Sequence, residues 1–435
     1  MAAVTENQIK PRKQSPVAQK AIEHYVGLSQ TLNAKTQNQM LSAKRLEAQK
    51  KFQTLGLPVR RDEDWQYTSL NAWMQIAFEQ NLPGWGKLEA SQLEGLLPEF
   101  ETYRFVWVDG VFSSDLSCDV ESLPAGLTLE NNEITNADLA NSDRAFELLH
   151  DLLAETRTKI RVKKGAAIET PIELVYVQTQ PKHLATLSLA VEVEENAQVT
   201  LIQQVIALTG GPVCINGVMQ MDLAANAICK QYVVQDLNDN DFYFNAQHIR
   251  QQASSVFNSL YVGLGAEVSR HQNYVSLCGE HADSSQSSIA FAKGNQIIDS
   301  RTDTQHLVSH CTSQQLHKFV LDEQARGVFN GMIYVAKDAQ KTDGQMDNKN
   351  LLLSNKAKMD TKPQLEIYAD DVKCSHGCAS GQIDENQVFY CQARGIRKQD
   401  AMQLITKAFL LEPLDAVSND AIRNWLSQRI SKLLA

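Results

Sequence analysis

The chain has 435 residues, 43% of them hydrophobic and 21% charged, with 11 prolines and 21 glycines. This composition excludes a collagen-like or largely disordered protein and leaves room for two or three domains. The formal net charge of −10 argues against nucleic acid as the main partner, because phosphate recognition needs a concentrated basic footprint.

The N-terminal "MAAVTENQIKPRKQ" has no apolar core of a signal peptide. No later run approaches the roughly 18 apolar residues of a membrane-spanning helix. The expected location is therefore the cytoplasm, where the eight cysteines stay reduced and serve mostly as small core residues. "KPRKQSPVAQK" is mildly basic, short and without aromatics, which predicts a solvated tail. From about Ser15 to Gln53 good helix formers dominate, with Ile22, Tyr25 and Val26, then Leu28 and Leu32, at helical spacing. The run stops at Gly56–Pro58. "YRFVWVDGVFSS" predicts two strands joined at Asp109–Gly110, a pair that tolerates the positive φ of a tight turn. A short helix in "DRAFELLHDLLAE" closes this region near Glu155.

From about Thr158 to Tyr390 helical periodicity disappears and short β-prone runs follow one another, among them "IELVYVQT", "LATLSLAVEVE" and "GVFNGMIYVA". Polar corners separate them. The central residues Ala325, Ala339, Ala357 and Val372 lie 14, 18 and 15 apart, and Ala266 to Ala282 is 16. A meandering sandwich would carry turns richer in Gly, Pro and Asn-Gly. Irregular steps of this length suit a β-solenoid, in which each coil stacks on the previous one. Stacked coils leave open ends that must be capped or paired, which leads to the expectation of helical regions at both ends and a partner chain.

From Ala393 the pattern is helical again. Ala401, Met402, Ile405, Ala408 and Phe409 share one side of "QDAMQLITKAFLL", with Asp400 near its start. Pro413 breaks it, and Ile422, Trp425, Leu426, Ile430 and Leu433 then share a face of a second helix capped by Ser418 or Asn419. These helices either cap the last coil or dock another chain. The fold class is thus mainly β, a β-solenoid core (158–392) between an N-terminal mostly helical domain (1–157) and a C-terminal helical domain (393–435).

The chemistry of nucleotide and acyl transfer is missing: the chain contains no G-x-x-x-x-G-K-[ST], no strand-to-helix G-x-G-x-x-G and no G-x-S-x-G. His306 and His310, with Cys311 adjacent, are four apart but lack the glutamate of H-E-x-x-H and sit in β-like surroundings. They read as stacked or solvent-facing solenoid histidines. Cys278 and His281 form a weak metal pair, and His24, His150 and His183 read as surface residues. The cluster in "DDVKCSHGCASG" is stronger. In an extended strand Cys374, His376 and Cys378 share one side and Ser375 and Gly377 the other. Thiolate and imidazole are ligands of zinc and iron–sulfur centres, but three groups on one strand make a row, not a tetrahedron. The row is either small core residues beside a hydrogen-bonded histidine, a zinc site completed by Cys391, or an open site completed by another chain.

"YADDVKCSHG", "GQIDENQVFYCQARGI" and the upstream "KFVLDEQARGVFNGMIYVAKDAQKTDGQMDNKN" resemble the SufB/SufD family of iron–sulfur cluster assembly scaffolds, continuously from roughly Thr304 to Phe409. "GLPVRRDEDWQYTSL" resembles the family's N-terminal segment, and between about Ser69 and Arg250 the likeness is in pattern. Lys373–Gly377 after paired aspartates looks like the SufD-type branch, whereas SufB-type chains carry glutamate-histidine-glutamate-alanine there. The resemblance implies a right-handed parallel β-helix, a heterodimer with SufB through the β-helices, and docking of the ATPase SufC by the C-terminal helices. It implies a role for His376, with Cys374 as a second candidate, at the interface where a transient Fe–S cluster forms. No cofactor is then held stably by the isolated chain, and the chain is not itself an enzyme. Cys378 stands where the family usually has alanine and receives no role. The competing readings are a zinc-dependent interaction module and a β-helix enzyme acting on polysaccharide. The latter would need secretion and a basic or carboxylate-lined groove.

Overall fold

The computed structural model describes residues 11–80, 88–135 and 142–433; the first ten residues of the N-terminal stretch lie outside this set. Helix α1 (Pro16–Lys35) starts where the Ser15 side chain accepts the Ala18 N–H at 3.1 Å, with proline in its first turn. The predicted long helix does not continue unbroken. Asn38 takes extended backbone and its Oδ1 accepts from the N–H groups of Met40 and Leu41, opening a separate α2 (Gln39–Leu55). An asparagine that bonds its own backbone in this way ends one helix and caps the next. Ile22, Tyr25 and Val26 are buried with Phe52 against α3 (Ala145–Leu153), all nine of whose residues are buried. The basic stretch is no solvated tail from Arg12 onward. Arg12 donates to the Gly56 carbonyl at 3.0 Å and pairs with Asp62 at 2.6 Å, while Gln14 donates to Leu57 O at 3.0 Å.

Strands β1 (Tyr103–Val108) and β2 (Val111–Ser113) form the expected hairpin, with Asp109 at φ 50° and Gly110 at φ 82°. β1 also pairs in parallel with β5 (Ile172–Gln178), so strand stacking begins well upstream of residue 158. β3 (Leu127–Glu133) lies antiparallel to β4 (Thr156–Val162). From there to β19 (Lys373–Gly381) successive strands alternate between a nine-stranded and a ten-stranded sheet, each parallel and in continuous register. Val268 pairs with Ile297 and Ile297 with Arg326, a step of 29 residues per coil. The steps of 14 to 18 read from the sequence are therefore half-coils, one corner after each strand.

The corners explain themselves chemically. Asn196, Asn226, Ser254, His281, His310 and Lys341 occupy one corner on successive coils, all with φ between 56° and 62°. A sharp corner needs left-handed backbone, which asparagine tolerates best among non-glycine residues. These corners bond to each other through the main chain: Asn196 N–H to Ala225 O, Asn226 to Ala253 O, Ser254 to Glu280 O and His310 to Gln340 O, at 2.9–3.1 Å. Ala266, Ala282, Ala325 and Ala339 are buried at the corners, as the spacing predicts.

Strand structure stops at Gly381, before the predicted Tyr390, and α4 (Glu385–Gln392) follows, capped by Asp384. Helices α5 (Lys398–Leu411) and α6 (Asp420–Leu433) come next, the latter opened by Asn419, which accepts from Ile422 N at 3.1 Å. They do not close the end of the solenoid. Leu410, Leu414, Trp425, Leu426 and Ile430 pack on Tyr232, Val234, Leu260 and Val262, the outward side of the ten-stranded sheet. On α5 the buried residues are Ala401, Thr406 and Leu410, a face rotated from the predicted one, and Ala408 is exposed. The Lys318 ammonium meets this side of the helix, 4.1 Å over the Phe409 ring and paired with Glu412. Leu433's side chain lies outside the described set. Among the described residues no helix is long and apolar enough to cross a membrane.

Candidate functional site at the open end of the solenoid

β19 ends the ten-stranded sheet and β18 (Lys358–Ile367) ends the nine-stranded one. Each pairs on one side only, with β17 (Asp343–Leu352) and β16 (Arg326–Val335) respectively, so the last coil presents two unpaired edges. Unpaired edges of this length are templates for another strand unless something blunts them.

Register fixes where the predicted row points. Cys374, His376 and Cys378 stand opposite Gly344, Met346 and Asn348, all buried. The row therefore lies on the inward side of β19. Across the coil, Met359, Thr361, Pro363 and Leu365 stand opposite Gly327, Phe329, Gly331 and Ile333, which are buried as well. The Cys378 thiol closes the distance between the sheets, donating to Thr361 Oγ1 at 3.0 Å and approaching Asn348 Oδ1 at 3.5 Å. With no further coil above them, these inward side chains are the exposed floor of the solenoid.

The three donors differ in setting. Cys374 is half-buried against the apolar cluster of Phe329, Ile333 and Met346, and this burial pushes its thiol above the ordinary value. His376 is exposed and makes no hydrogen bond or ion pair among the described residues. Cys378 is exposed. Gly377 between them faces the other way, where a Cβ would meet only the tip of the exposed Asp347 side chain. Among the described residues no group of three or more His, Cys, Asp or Glu side chains is arranged to hold a metal ion. The row by itself does not make a metal site among the described residues, and Cys391, on α4, does not turn it into one.

Of the other histidines, His310 is as expected and His306, His150 and His183 are not. His310 stacks on His281 of the preceding coil, ring centroids 5.1 Å apart, with both exposed at the left-handed corner. His306 instead points inward to Ser313 Oγ at 2.8 Å, and burial lowers its pKa to about 4. His150 and His183 are buried, not surface residues; His183 Nδ1 meets Gln178 Oε1 at 2.9 Å. His183 follows the polar run "QTQPK", which concealed its burial, whereas His150 sits among Leu148, Leu149, Leu152 and Leu153 of α3, a setting that already signalled burial. The sequence also left unread an apolar patch on α4 and α5, where Phe389, Tyr390 and Leu404 are 71%, 57% and 52% exposed. Its signal was present as two adjacent aromatics with no apolar partner at helical spacing.

Comparison with known proteins bears on this site. The family description "SUF system FeS cluster assembly, SufBD core domain" matches residues 176–409, and "SufBD protein N-terminal region" matches residues 16–143. The chain is similar to the iron-sulfur cluster assembly protein SufD of Escherichia coli, with 33% identity covering 89% of this chain and 92% of that one. It is 29% identical to an iron-sulfur cluster assembly SufBD family protein of Synechocystis, covering 92% and 93% of the two chains. Identity to the SufD of Bacillus subtilis is 23%, over 65% of each.

Proposed function

Because the chain belongs to the SufB/SufD family of iron–sulfur cluster assembly proteins, on its SufD side, we propose that it is a scaffold subunit supplying half of a cluster-forming pocket. The observation that carries this reading is the inward row Cys374–His376–Cys378 on a coil with two unpaired edges. A SufB-type partner stacking its own coil there would pair those edges and bring the missing ligands. His376 contributes an imidazole nitrogen, and Cys374 a thiol that sheds its proton to solvent when it binds metal. The cluster is cargo assembled at the seam and handed on.

ATP hydrolysis falls to a separate ATPase, SufC, which fits a sequence without a phosphate-binding loop. The docking surface is the exposed patch of Phe389, Tyr390 and Leu404, not the Trp425 face, which is spent on the solenoid wall. Exposed aromatic patches of this kind mark interaction sites. The test is co-expression with SufB and SufC followed by mass measurement of the intact complex and analysis of iron and sulfide. In the His376→Ala complex the subunits remain assembled and the cluster is lost. Wild-type cluster content in that variant would overturn the reading.

A further inference from the structure

All eight cysteines lie among the described residues, and only Cys378 is exposed. Cys214, Cys229 and Cys311 are buried, and Cys118, Cys278, Cys374 and Cys391 are partly buried. A reduced cysteine behaves as a small apolar side chain and is usually covered, so Cys378 is the one that packing does not account for. It stands opposite the buried Asn348, two positions beyond His376 on the inward side of the uncovered β19.

The two thiols of the row have different company. Cys374 packs on the apolar cluster of Phe329, Ile333 and Met346. Cys378 is held by oxygens from both sheets, Thr361 Oγ1 at 3.0 Å and Asn348 Oδ1 at 3.5 Å. Asn348 is itself fixed, since its Nδ2 donates to Asn350 Oδ1 at 3.0 Å and to the His317 carbonyl at 3.3 Å. Those bonds turn its Oδ1 toward the sulfur. Thr361 carries a hydroxyl proton of its own, so once the thiol proton has left it turns and donates to the thiolate. Neighbours that fix a side chain in this way are what orients a metal ligand.

Strand geometry makes His376 the partner of this thiol. At about 3.3 Å per residue, Cys378 stands roughly 6.6 Å from His376 and roughly 13 Å from Cys374 along β19. The longer separation excludes a disulfide within the row, which needs Cα atoms within about 7 Å. The shorter one sets an exposed thiol beside an exposed imidazole, both of them accepted ligands of iron–sulfur centres.

We infer that Cys378 is a further ligand which this chain brings to the seam, binding iron as a thiolate beside His376, with Thr361 positioning its sulfur. The inference rests on the reading of the chain as half of a cluster-forming pocket. As the iron–sulfur bond forms the S–H bond breaks, the proton passes to solvent, and no electron is transferred.

The test compares the wild-type complex with SufB and SufC against complexes carrying Cys378→Ala, Cys378→Ser or His376→Ala, with intact mass confirming assembly. Visible circular dichroism reads the ligands of the cluster, and the rate of iron loss to a chelator reads its hold. Cys378→Ala is expected to change the spectrum and to speed iron loss at least tenfold. Cys378→Ser keeps a donor to Thr361 but removes the sulfur, so its spectrum is expected to change as well. A wild-type spectrum and rate in the serine variant means that the thiol only packs, and overturns the inference. Wild-type behaviour in Cys378→Ala, with the cluster lost in His376→Ala, overturns it too and leaves the pocket reading standing. A cluster unchanged in both Cys378→Ala and His376→Ala, or none in the wild-type complex, overturns both.

Discussion

Trp425 decides what the C-terminal helices are attached to. It is 8% exposed and meets Phe100 edge-on, ring centroids 6.3 Å apart, within the cluster that joins α5 and α6 to the ten-stranded sheet. Its indole N–H is buried without a hydrogen-bond partner, so its contribution is packing alone. A buried indole removes roughly 150–250 Å² from water, worth roughly 4–6 kcal/mol at about 25 cal/mol per Å². Partial collapse of the cavity brings the expected loss for Trp425→Ala to about 4 kcal/mol, in line with other large-to-small core changes. Trp425→Phe keeps the ring and removes the orphan donor, and is expected to cost about 1 kcal/mol or less. Urea unfolding gives the global value, and hydrogen exchange followed by mass spectrometry locates it. Trp425→Ala loses amide protection in residues 398–433 first, while the solenoid coils keep theirs. Unchanged protection in α5 and α6, or equal losses for Ala and Phe, would refute the packing argument.

Three further outcomes follow from the same structure. Phe389→Glu, on the exposed α4 surface, is expected to change stability by less than about 0.5 kcal/mol yet abolish co-purification of the ATPase; retained binding would remove α4 from the docking surface. Arg270→Ala removes one of the two guanidinium partners of the buried Asp299, bonded at 2.7 Å to Arg270, which keeps Arg301 at 3.0 Å and Thr68 at 2.6 Å. It also frees Trp65, over which the guanidinium sits at 3.8 Å. A loss of about 1.5–3 kcal/mol is expected, with proteolysis appearing first around residues 60–70. Acid stability is set partly by His271 and His317, both lowered to about 3, His271 by burial and His317 by burial and then by His271. Their folded values lie below the unfolded one, so the stability they protect is full above about pH 6.5 and declines as pH falls toward 3. Each contributes a slope of about 1.4 kcal/mol per pH unit in that window, and His317→Gln should reduce the measured slope by that amount.

Much of the architecture is written in local chemistry. β-prone runs between polar corners gave the solenoid, because each corner needs a small buried residue and a left-handed position that recur on every coil. The doubling of the repeat was not legible, since nothing in one corner says which of two sheets the next strand joins. Asn38 split a helix that composition alone made continuous, and the capping bond that does so is visible only in three dimensions. The row at Cys374, His376 and Cys378 follows from strand alternation. Its position on an uncovered last coil does not, because only the sheet order reveals that β18 and β19 have no further neighbour. The inward position of His306 escaped the reading for the reverse reason: an interior that takes polar side chains has no apolar signature.

The central claim is that this chain carries half of a pocket and needs a second subunit to close it. Iron and acid-labile sulfide measured per chain, anaerobically, on the purified protein alone and on its complex with SufB and SufC test it most directly. The account expects no stoichiometric cluster on the lone chain, a cluster on the complex, and its loss with His376→Ala while the subunits stay together. A complete cluster held by the isolated chain through its own side chains would contradict it.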